Sequence, residues 1–329
     1  MNARSRFQAV FILTLAMGLS ACRPAAPPAP ALTPVTVQLN WIHQAQFAGL
    51  YAADQNGYYA AEGLSVSFLP GGPNIQSATA VLEGKAQFGI VAADQVLLLR
   101  ADGKPLRAIA AIYRRSPRVY IALAASGITR PQDFVGKTIS LGAGGQALLD
   151  AMMKRLSISP DQYIVVLSTP DLGPLYNGEV QVRSVFINNE VLTVQAAGYD
   201  INIIYPDDYG IHFYGDTLFT TDDLIASDPD LVLRFLRATL KGWTWAVENP
   251  GQVGAPVVKY QPDADAKLET AKMTASLPLV NTGEDFIGWM RPEVWAGMEK
   301  TLREQGVLTN TLDVEQVYTL QFLEEIYEK

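Results

Sequence analysis

The sequence predicts an α/β fold made of two successive α/β sets followed by a helical extension. Short β-branched segments alternate with helical segments between residues 35 and 220, which is the pattern of βαβ units around largely parallel sheets. The 329 residues are too many for most single hydrophobic cores and fit two lobes. From residue 228 onward the pattern is almost entirely helical.

The first α/β set precedes residue 125. Strands are expected where β-branched and apolar residues alternate or run together, and helices where an apolar stretch ends at glycine or at Asn-Gly. The expected strands are 35–39, 64–68, 88–91, 106–112 and 119–124, and the expected helices are 47–55, 75–83 and 95–100.

The second set begins near Gly127 and repeats the alternation. The expected strands are 138–141, 163–167, 184–187, 201–205 and 218–220, and the expected helices are 146–156 and 191–197. Between the first of these strands and its helix lies Gly142-Ala143-Gly144-Gly145. Its backbone N–H groups could hold an anion or a carbonyl oxygen, or the segment could be a tight turn that needs only glycine geometry.

The C-terminal part predicts helices with clear end signals. Asp228 caps a helix that begins at Pro229 and ends at Glu248, a second helix covers 292–305, and Asp313 caps a final amphipathic helix. We expect the chain to cross between lobes near 119–125 and 212–220. The first lobe is then 35–122 plus 217–329, the second is 123–216, and a ligand would bind in the crevice between them.

The N-terminus predicts export. Arg4 and Arg6 precede an apolar run over 7–19, which is typical of a signal peptide and too short to span a bilayer. Leu19-Ser20-Ala21-Cys22 looks like a bacterial lipobox, so residues 1–21 are expected to be removed and Cys22 to be lipidated. Residues 22–34 form a Pro/Ala-rich tether. The mature protein would sit on the outer face of the cell membrane; an ordinary cleaved signal is the alternative.

Composition limits the function. The formal net charge of −8 argues against a nucleic-acid partner and weakly against a strongly anionic ligand. With one cysteine and two histidines, the chain has no metal-ligand spacing, and it has no Gly-x-Ser-x-Gly elbow and no Walker loop. The carboxylate pairs at 207–208 and 222–223 are sequence neighbours, which are usually solvated. We therefore predict a monomeric non-enzyme without a metal or cofactor.

Aromatic, amide and acidic residues cluster at the predicted strand ends, where a flat heterocycle could stack on rings and bond to polar edges. The candidate ligand-binding residues are Trp41, Gln44, Phe47, Asp94, Gln95, Tyr113, Asn189, Glu190 and Tyr209, with Gln46, Asn188, His212 and Tyr214 nearby. Core packing is the alternative for Trp41 and Phe47, and a helix cap is the alternative for Asn189 and Glu190. His43 is expected to be a loop hydrogen-bonder.

Five segments, 39–51, 57–64, 88–95, 186–190 and 209–216, resemble solute-binding proteins of the thiamin-pyrimidine and nitrate/sulfonate/taurine superfamily. Within it, the chain is similar to the riboflavin-binding components of bacterial ABC importers, and next to binders of formylaminopyrimidine, a thiamin precursor. The resemblance implies a type II periplasmic-binding fold, a ligand clamped between two lobes and a membrane permease as partner.

The same resemblance implies roles and alternatives. Trp41 and Tyr113 would stack on the ligand, Asp94 and the amides would bond its edge, and Tyr209 would close the far side. A sulfonate, taurine or nitrate receptor would need a cleft arginine, but the cluster Arg114, Arg115 and Arg118 is expected to be a solvated edge. Fungal pyrimidine synthases of the superfamily carry a cysteine-rich motif, which is absent here. Gln181 departs from the acidic residue of many relatives.

Overall fold

Two five-stranded β-sheets form the centre of the molecule. The computed structural model describes residues 31–72, 75–142 and 145–328, and residues 32–329 belong to one compact unit. The strands are β1 (Thr33–Gln38), β2 (Leu64–Leu69), β3 (Phe88–Ala92), β4 (Leu106–Ala111), β5 (Arg118–Leu123), β6 (Thr138–Leu141), β7 (Ile164–Leu167), β8 (Val182–Phe186), β9 (Ile201–Ile204) and β10 (Asp216–Thr221).

The helices are α1 (Ala48–Gln55), α2 (Tyr58–Ala61), α3 (Ser77–Leu82), α4 (Ala93–Ala101), α5 (Gln146–Arg155), α6 (Gly173–Tyr176), α7 (Glu190–Ala196), α8 (Asp222–Ser227), α9 (Pro229–Glu248), α10 (Gly254–Tyr260), α11 (Ala266–Val280), α12 (Pro292–Glu304) and α13 (Gln321–Tyr327). Short 3₁₀ helices occupy Ala45–Phe47, Ala124–Ser126, Pro131–Phe134, Pro160–Gln162, Pro206–Tyr209, Pro250–Gln252 and Val314–Gln316. The α/β fold class predicted from the strand and helix alternation is confirmed.

The two sheets share one topology. The first has the strand order β2-β1-β3-β10-β4, and the second has the order β7-β6-β8-β5-β9. In each sheet the fourth strand is antiparallel to both neighbours, while the remaining pairs are parallel. That antiparallel strand is the first one formed after the chain leaves the other sheet. We call β1–β4 and β10, with the helices packed on them, the first-sheet half, and β5–β9, with the helices packed on them, the second-sheet half.

The first crossing lies earlier than the sequence indicated. The chain passes between the sheets through residues 112–117 and 205–215, whereas crossings were expected at 119–125 and 212–220. β5, expected in the first lobe up to residue 122, pairs with β8 and β9 in the second sheet. β4 and β5 are both buried apolar strands joined by a short linker, which suits a hairpin as well as a crossing. The sequence therefore contains no signal that separates them.

The two crossings run side by side. The backbone N–H groups of Ile112 and Tyr113 both donate to the carbonyl of Asp216, at 2.9 and 3.1 Å, and the N–H of Gly215 donates to the carbonyl of Tyr113 at 2.8 Å. A Cβ on Gly215 would lie 2.7 Å from Cδ of Pro117 and 2.9 Å from Cβ of Tyr113. Only glycine lets the two crossings approach this closely.

The C-terminal helices return to the first-sheet half, as expected. Asp228 caps α9 by accepting a hydrogen bond from the N–H of Leu231 at 3.0 Å, and Pro229 takes the first helical position. α9 packs along α1. A Cβ on Gly242 would lie only 2.1 Å from the carbonyl oxygen of Gly49, so the two helices touch backbone to backbone.

The predicted single helix after Asp313 is wrong. A 3₁₀ turn is followed by an extended stretch before α13 begins at Gln321. In that stretch the N–H of Ala108 on β4 donates to the carbonyl of Val317 at 2.8 Å, and the N–H of Thr319 donates back to Ala108 at 3.0 Å. The main chain thus covers the outer edge of β4, which interrupts the helix.

The N-terminal predictions fall mostly outside the description. The predicted signal, Cys22 and the tether up to residue 30 lie outside the described residues. The tether was expected to extend to residue 34, but β1 begins at Thr33, where it pairs with Leu64 of β2. Pro34 is tolerated there because β3 pairs with β1 only from Val37 onward. Among the described residues, none of the helices has the length and apolar character needed to span a bilayer.

Candidate functional site

The candidate site lies where strand ends of both sheets meet the two crossings. Ligands of open α/β sheets bind beyond the carboxyl ends of the strands. β1 leads into the loop 39–44, β3 leads directly into α4, and β8 leads into residues 187–189. The first crossing brings Tyr113, and the start of β10 brings Asp216, between these ends, so polar groups from both halves converge.

A buried carboxylate, Asp216, holds the loop that follows β1. Nδ2 of Asn40 donates to Oδ1 of Asp216 at 2.9 Å, and Nε2 of Gln46 donates to Oδ2 at 2.6 Å. Burial raises the pKa of Asp216 to about 6, although the hydrogen bonds from Gln46 and Asn40 and the nearby charge of Arg118 act in the opposite direction. Each carboxylate oxygen thus has a donor, and the loop geometry is fixed by side chains.

Helix α11 is attached to the same loop by a buried ion pair. Nζ of Lys272 lies 2.7 Å from Oε1 of Glu269, and Oε2 of Glu269 accepts the N–H of Ala45 at 2.6 Å. Lys272 also donates to Oε1 of Gln44 at 3.5 Å, and Gln44 donates to Gln46 at 2.7 Å. Every charge in this cluster has a partner, which a buried ion pair needs to be tolerated.

A cavity of about 20 Å³ lies between the two halves. Asp94 and Gln95 of α4 line it from the first-sheet half, Arg118 of β5 lines it from the second, and Phe213 lines it from a crossing. A space of this size holds about one water molecule. A second cavity, of about 440 Å³, shares Phe213 and Tyr214 with it. A heterocycle does not fit the smaller cavity in this conformation, so binding one against Asp94 and Arg118 requires the halves to separate.

The cavity contains both a guanidinium and a carboxyl group. Burial raises the pKa of Asp94, and the charge of Arg118 acts to lower it. The guanidinium of Arg118 lies 5.2 Å from the ring centroid of Phe186, and its Nη1 lies 3.5 Å from Oγ of Ser184. The cavity therefore offers several donors and an acceptor side by side, and Asp94 offsets the positive charge.

The expectation of a solvated arginine edge is wrong for two of its three members. Arg114 is only 7% exposed and pairs with Asp285 at 2.7 Å. Arg118 is half-buried and faces the cavity. Arg115 alone is exposed, and it pairs with Asp207. The sequence cannot separate these cases because all three residues lie in or beside the first crossing.

Asn188 bonds across the boundary between the halves. From the loop after β8, its Nδ2 donates to the hydroxyl of Tyr113 at 3.1 Å and to the hydroxyl of Ser276 on α11 at 2.8 Å. The Tyr113 hydroxyl in turn donates to the carbonyl of Gln46 at 3.4 Å. Burial, with the nearby Asp216 charge, raises the pKa of Tyr113, so its hydroxyl stays protonated at neutral pH.

The predicted ligand-binding residues divide into groups. Asp94 and Gln95 line the cavity. Gln44 and Tyr113 join the hydrogen-bonded cluster around Gln46. Trp41 and Tyr209 are half-buried rings packed against the core, and neither lines the cavity.

The remaining predicted residues, Phe47, Asn189 and Glu190, do not line the cavity. Phe47 is 1% exposed and packs edge-on against Tyr51, so its ring belongs to the core and offers no ligand surface in this conformation. Glu190 accepts the N–H of Phe186 at 2.9 Å at the start of α7. Asn189 occupies the cap position, although its side chain makes no capping hydrogen bond.

Sequence reasoning missed several residues of this site. Asn40, Asp216 and Ser276 were not singled out, although Asn40 and Asp216 lie in the segments that carry the family resemblance. A polar residue opening a buried strand, as Asp216 opens β10, was the available signal. Ser276 gave none, since it lies within a helix far along the chain.

Other polar motifs have local partners. Asp222 pairs with Arg100 and, at 3.0 Å, with Arg107, which makes it structural. His43, as expected, shares a hydrogen bond with the hydroxyl of Tyr51 at 2.8 Å, and burial lowers the pKa of His43. In the glycine loop the N–H of Gly145 donates to Gly142, while Ala143 and Gly144 lie outside the described residues. Within 31–72, 75–142 and 145–328, no group of three or more potential ligands could hold a metal ion.

The fold and the interlobe cavity define the periplasmic-binding-protein class of α/β proteins. The chain is similar, with a TM-score of 0.70 and 14% identity, to the periplasmic aliphatic sulphonate binding protein SsuA from Escherichia coli. The match covers 90% of this chain and 99% of the other. At this identity the likeness bears on the fold alone.

Residues 44–253 match the family described as NMT1/THI5 like, and the chain belongs to that family. It is 27% identical over 319 residues to the riboflavin-binding protein RibY of Chloroflexus aurantiacus, covering 92% of this chain and 91% of the relative. It is also 27% identical over 269 residues to the formylaminopyrimidine-binding protein of Halalkalibacterium halodurans, covering 80% and 81%.

Some relatives have names that denote enzymes. The 4-amino-5-hydroxymethyl-2-methylpyrimidine phosphate synthase of Legionella pneumophila is 25% identical over 300 residues, with 88% of this chain and 92% of the relative covered. Family membership alone therefore does not separate a binding protein from an enzyme. The separation has to come from the chemistry of the site.

Proposed function

We propose that this protein is an extracytoplasmic solute receptor of an ABC importer that binds riboflavin between its two halves. The observation that carries the proposal is that Arg118 and Asp94 line the same interlobe cavity, beside the rings of Phe213 and Tyr214. The flavin ring is neutral, and its pyrimidine edge presents an N–H group between two carbonyl oxygens. A guanidinium next to a carboxyl group matches such an edge, since one donates and the other accepts.

The similarity to a riboflavin-binding protein over nearly the whole chain supports this choice. A pyrimidine precursor of thiamin is the second candidate, because it presents a related edge and a relative is named for that ligand. An anionic sulfonate is less well matched, since Asp94 faces the same space as Arg118. An enzyme is less well supported, because Asp216 and the Lys272–Glu269 pair are engaged in holding the loop after β1.

The mechanism follows from the geometry of the crossings. A ligand larger than the small cavity reaches the space between Asp94 and Arg118 only when the halves separate about residues 112–117 and 205–215. Once bound, it contacts both halves and shifts the population toward the closed conformation. The closed form would then dock on a membrane permease. Lipidation at Cys22 would hold the receptor at the outer face of the cell membrane through its Pro/Ala-rich tether.

Titration of purified protein against riboflavin fluorescence tests the proposal. We expect quenching with submicromolar affinity. Arg118→Gln should weaken binding by about tenfold or more, because a charge-assisted hydrogen bond is lost. Arg130→Gln, on an exposed arginine of the same half, is the matched control and should bind normally. Trp41→Ala tests the predicted stacking and should also weaken binding.

Competition identifies the ligand class. Formylaminopyrimidine, taurine and nitrate are added separately in a thermal-shift assay, where a bound ligand raises the melting temperature by mass action. If the pyrimidine stabilises the protein and riboflavin fluorescence is not quenched, the proposed ligand is wrong but the proposed role as a solute receptor stands. Stabilisation by taurine alone, or chemical turnover of any compound, would refute the proposal. Cys22→Ser should release the protein from the membrane fraction if Cys22 carries the lipid.

A further inference from the structure

The larger cavity lies where the two crossings meet the segment between α11 and α12. It is lined by Arg115 from the first crossing, by His212 from the second, and by Thr282 and Val294 from the C-terminal part of the chain. Its volume of about 440 Å³ falls in the range of small-molecule sites, about 300–1,000 Å³. Of the two cavities, it is the one with room for a substantial part of a ligand in this conformation.

Two aromatic residues are common to both cavities. Phe213 and Tyr214 are consecutive residues of the second crossing, and they line the smaller cavity as well as the larger one. A molecule held against Asp94 and Arg118 therefore lies beside a wall of the larger cavity. A flexible group attached to that molecule reaches the larger cavity by passing these two residues.

The charges around the larger cavity cancel. The ion pairs there are Arg114–Asp285 at 2.7 Å, Arg291–Asp285 at 2.6 Å, Arg291–Glu284 at 3.4 Å and Arg115–Asp207. Burial acts to raise the pKa of Asp207, but the hydrogen bonds from Arg115 and His212 lower it below its ordinary value, so this carboxylate is charged. With His212 neutral, the guanidiniums and carboxylates are equal in number. An anion would be attracted by one set and repelled by the other.

Hydroxyl groups match such a lining, because each hydroxyl both donates and accepts hydrogen bonds. Arg115 donates to Asp207 through Nη2, and its side chain is 57% exposed, which leaves other N–H groups of the guanidinium for a ligand. Glu284 offers a carboxylate that is 60% exposed. Oγ1 of Thr282 accepts from Nη1 of Arg114 at 2.7 Å, so its own hydrogen remains to be donated. The lining thus offers donors and acceptors without a net charge.

We propose that the larger cavity is a binding subsite for a neutral polyhydroxylated group. The identity of that group rests on the proposed function: riboflavin carries a flexible chain of hydroxyl-bearing carbons on its ring system. With the ring edge between Asp94 and Arg118, the chain passes Phe213 and Tyr214 and lies in the larger cavity. The subsite selects riboflavin over flavins that lack the chain, and it gives no advantage to a phosphate on the end of the chain.

Titration of the purified protein with three flavins tests the subsite. Lumiflavin has the same ring edge but a methyl group in place of the chain, and we expect it to bind about tenfold more weakly than riboflavin, because the hydrogen bonds to the chain are lost. Flavin mononucleotide, the phosphate ester of the same chain, should bind no more tightly than riboflavin. Quenching of flavin fluorescence measures all three affinities.

Filling the cavity tests its location. Val294→Phe adds a ring at the wall of the larger cavity and should weaken riboflavin binding to about the level of lumiflavin, while lumiflavin binding stays unchanged. Val247→Phe, at a half-buried valine of α9 that lines neither cavity, is the matched control and should leave the preference for riboflavin unaltered.

Two substitutions at exposed side chains keep the test decisive if Val294→Phe folds poorly. Glu284→Gln removes one negative charge and should shift the preference toward flavin mononucleotide by about two- to fivefold. Arg115→Gln removes one positive charge and should shift it the other way by a similar factor.

Equal binding of lumiflavin and riboflavin to the parent protein would overturn the subsite and leave riboflavin as the ligand. Tighter binding of flavin mononucleotide than of riboflavin would also overturn it, since the cavity would then be an anion site. An unchanged preference in Val294→Phe, Glu284→Gln and Arg115→Gln would show that the chain lies elsewhere. Failure of all three flavins to bind would instead refute the proposed function, and the subsite with it.

Discussion

The first and second sheets have the same strand order, yet their edges are protected differently. The outer edge of β4 in the first sheet is covered by main chain: Ala108 bonds to Val317 and Thr319, and the N–H of Ala111 donates to Gly288 at 3.0 Å. At the other end of the strand order, β7 in the second sheet pairs among the described residues only with β6, and its four apolar residues are all exposed, with Ile164 at 61% and Leu167 at 80%. Unprotected edges of this kind are unusual in soluble proteins.

The hydrophobic cores differ in the same direction. The main core cluster extends through the first sheet and its helices and includes stacked rings such as Phe88 on Phe235, 3.9 Å between centroids. The second sheet shares that cluster on one side, but on the other it has a separate core of six aliphatic residues, among them Leu175 and Val194. The first-sheet half therefore has the larger hydrophobic core, and the second-sheet half depends in part on a smaller one.

Truncating the core of each half tests this difference most strongly. Phe235→Ala should lower the free energy of unfolding by about 3–5 kcal/mol, since it removes a ring packed against Phe88 and Tyr59. Leu175→Ala, in the smaller core, should cost about 2 kcal/mol, because a small cluster near the surface can collapse around the gap. Urea unfolding measures both, and equal losses would contradict the comparison.

The buried Asp216 should make stability depend on pH. Its folded pKa of about 6 lies above the ordinary value of about 4, so the folded state binds the proton more tightly. The stability from this group is complete below about pH 4 and is lost as the pH rises through 6, by on the order of 2–3 kcal/mol. Asp216→Asn should flatten this part of the profile in urea titrations between pH 4 and 7. If the free energy of unfolding changes with pH equally in both proteins, Asp216 does not cause the pH dependence.

Crowding at the crossing should make Gly215→Ala destabilising by about 1–3 kcal/mol, because the added methyl would meet Pro117 and Tyr113 at less than van der Waals distance. Gly251→Ala is a suitable control, since a Cβ there meets nothing within 4 Å. Thermal unfolding of both variants measures the difference. A neutral Gly215→Ala would indicate that the crossings can move apart at little cost.

The exposed edge of the second sheet should tolerate charge. Leu167→Lys is expected to change the free energy of unfolding by no more than about 0.5 kcal/mol, because the side chain is already in solvent. The buried counterpart Leu106→Lys on β4 should be severely destabilising. If Leu167→Lys also unfolded the protein, something in the folded chain would have to cover β7.

Much of the fold could be predicted from local signals. Asp228 predicted the start of α9, and Pro292 and Gly306 predicted the start and the end of α12. Most strands lay within two residues of their predicted bounds. The position of the first crossing could not be predicted, because β4 and β5 have the same buried apolar pattern. Which sheet a strand joins depends on contacts far apart in sequence.

The site was less predictable than the fold, for the same reason. Asp94 and Gln95 could be found because they follow a buried strand directly. Ser276 and Lys272 reach the site because α11 packs beside it, and no pattern in the local sequence predicts that packing. Phe47 shows the converse case, since an aromatic residue at a strand end serves equally well in the core, where this ring lies. The lipidation prediction at Cys22 stays a prediction.

The place of β10 has a consequence for how the chain matures. It lies between β3 and β4, yet residues 216–221 emerge from the ribosome only after all five strands of the second sheet. Until then β4 has no parallel or antiparallel neighbour to hold it beside β3, so a nascent chain of 200 residues carries two open backbone edges. The half whose synthesis begins first is therefore the last to complete its sheet.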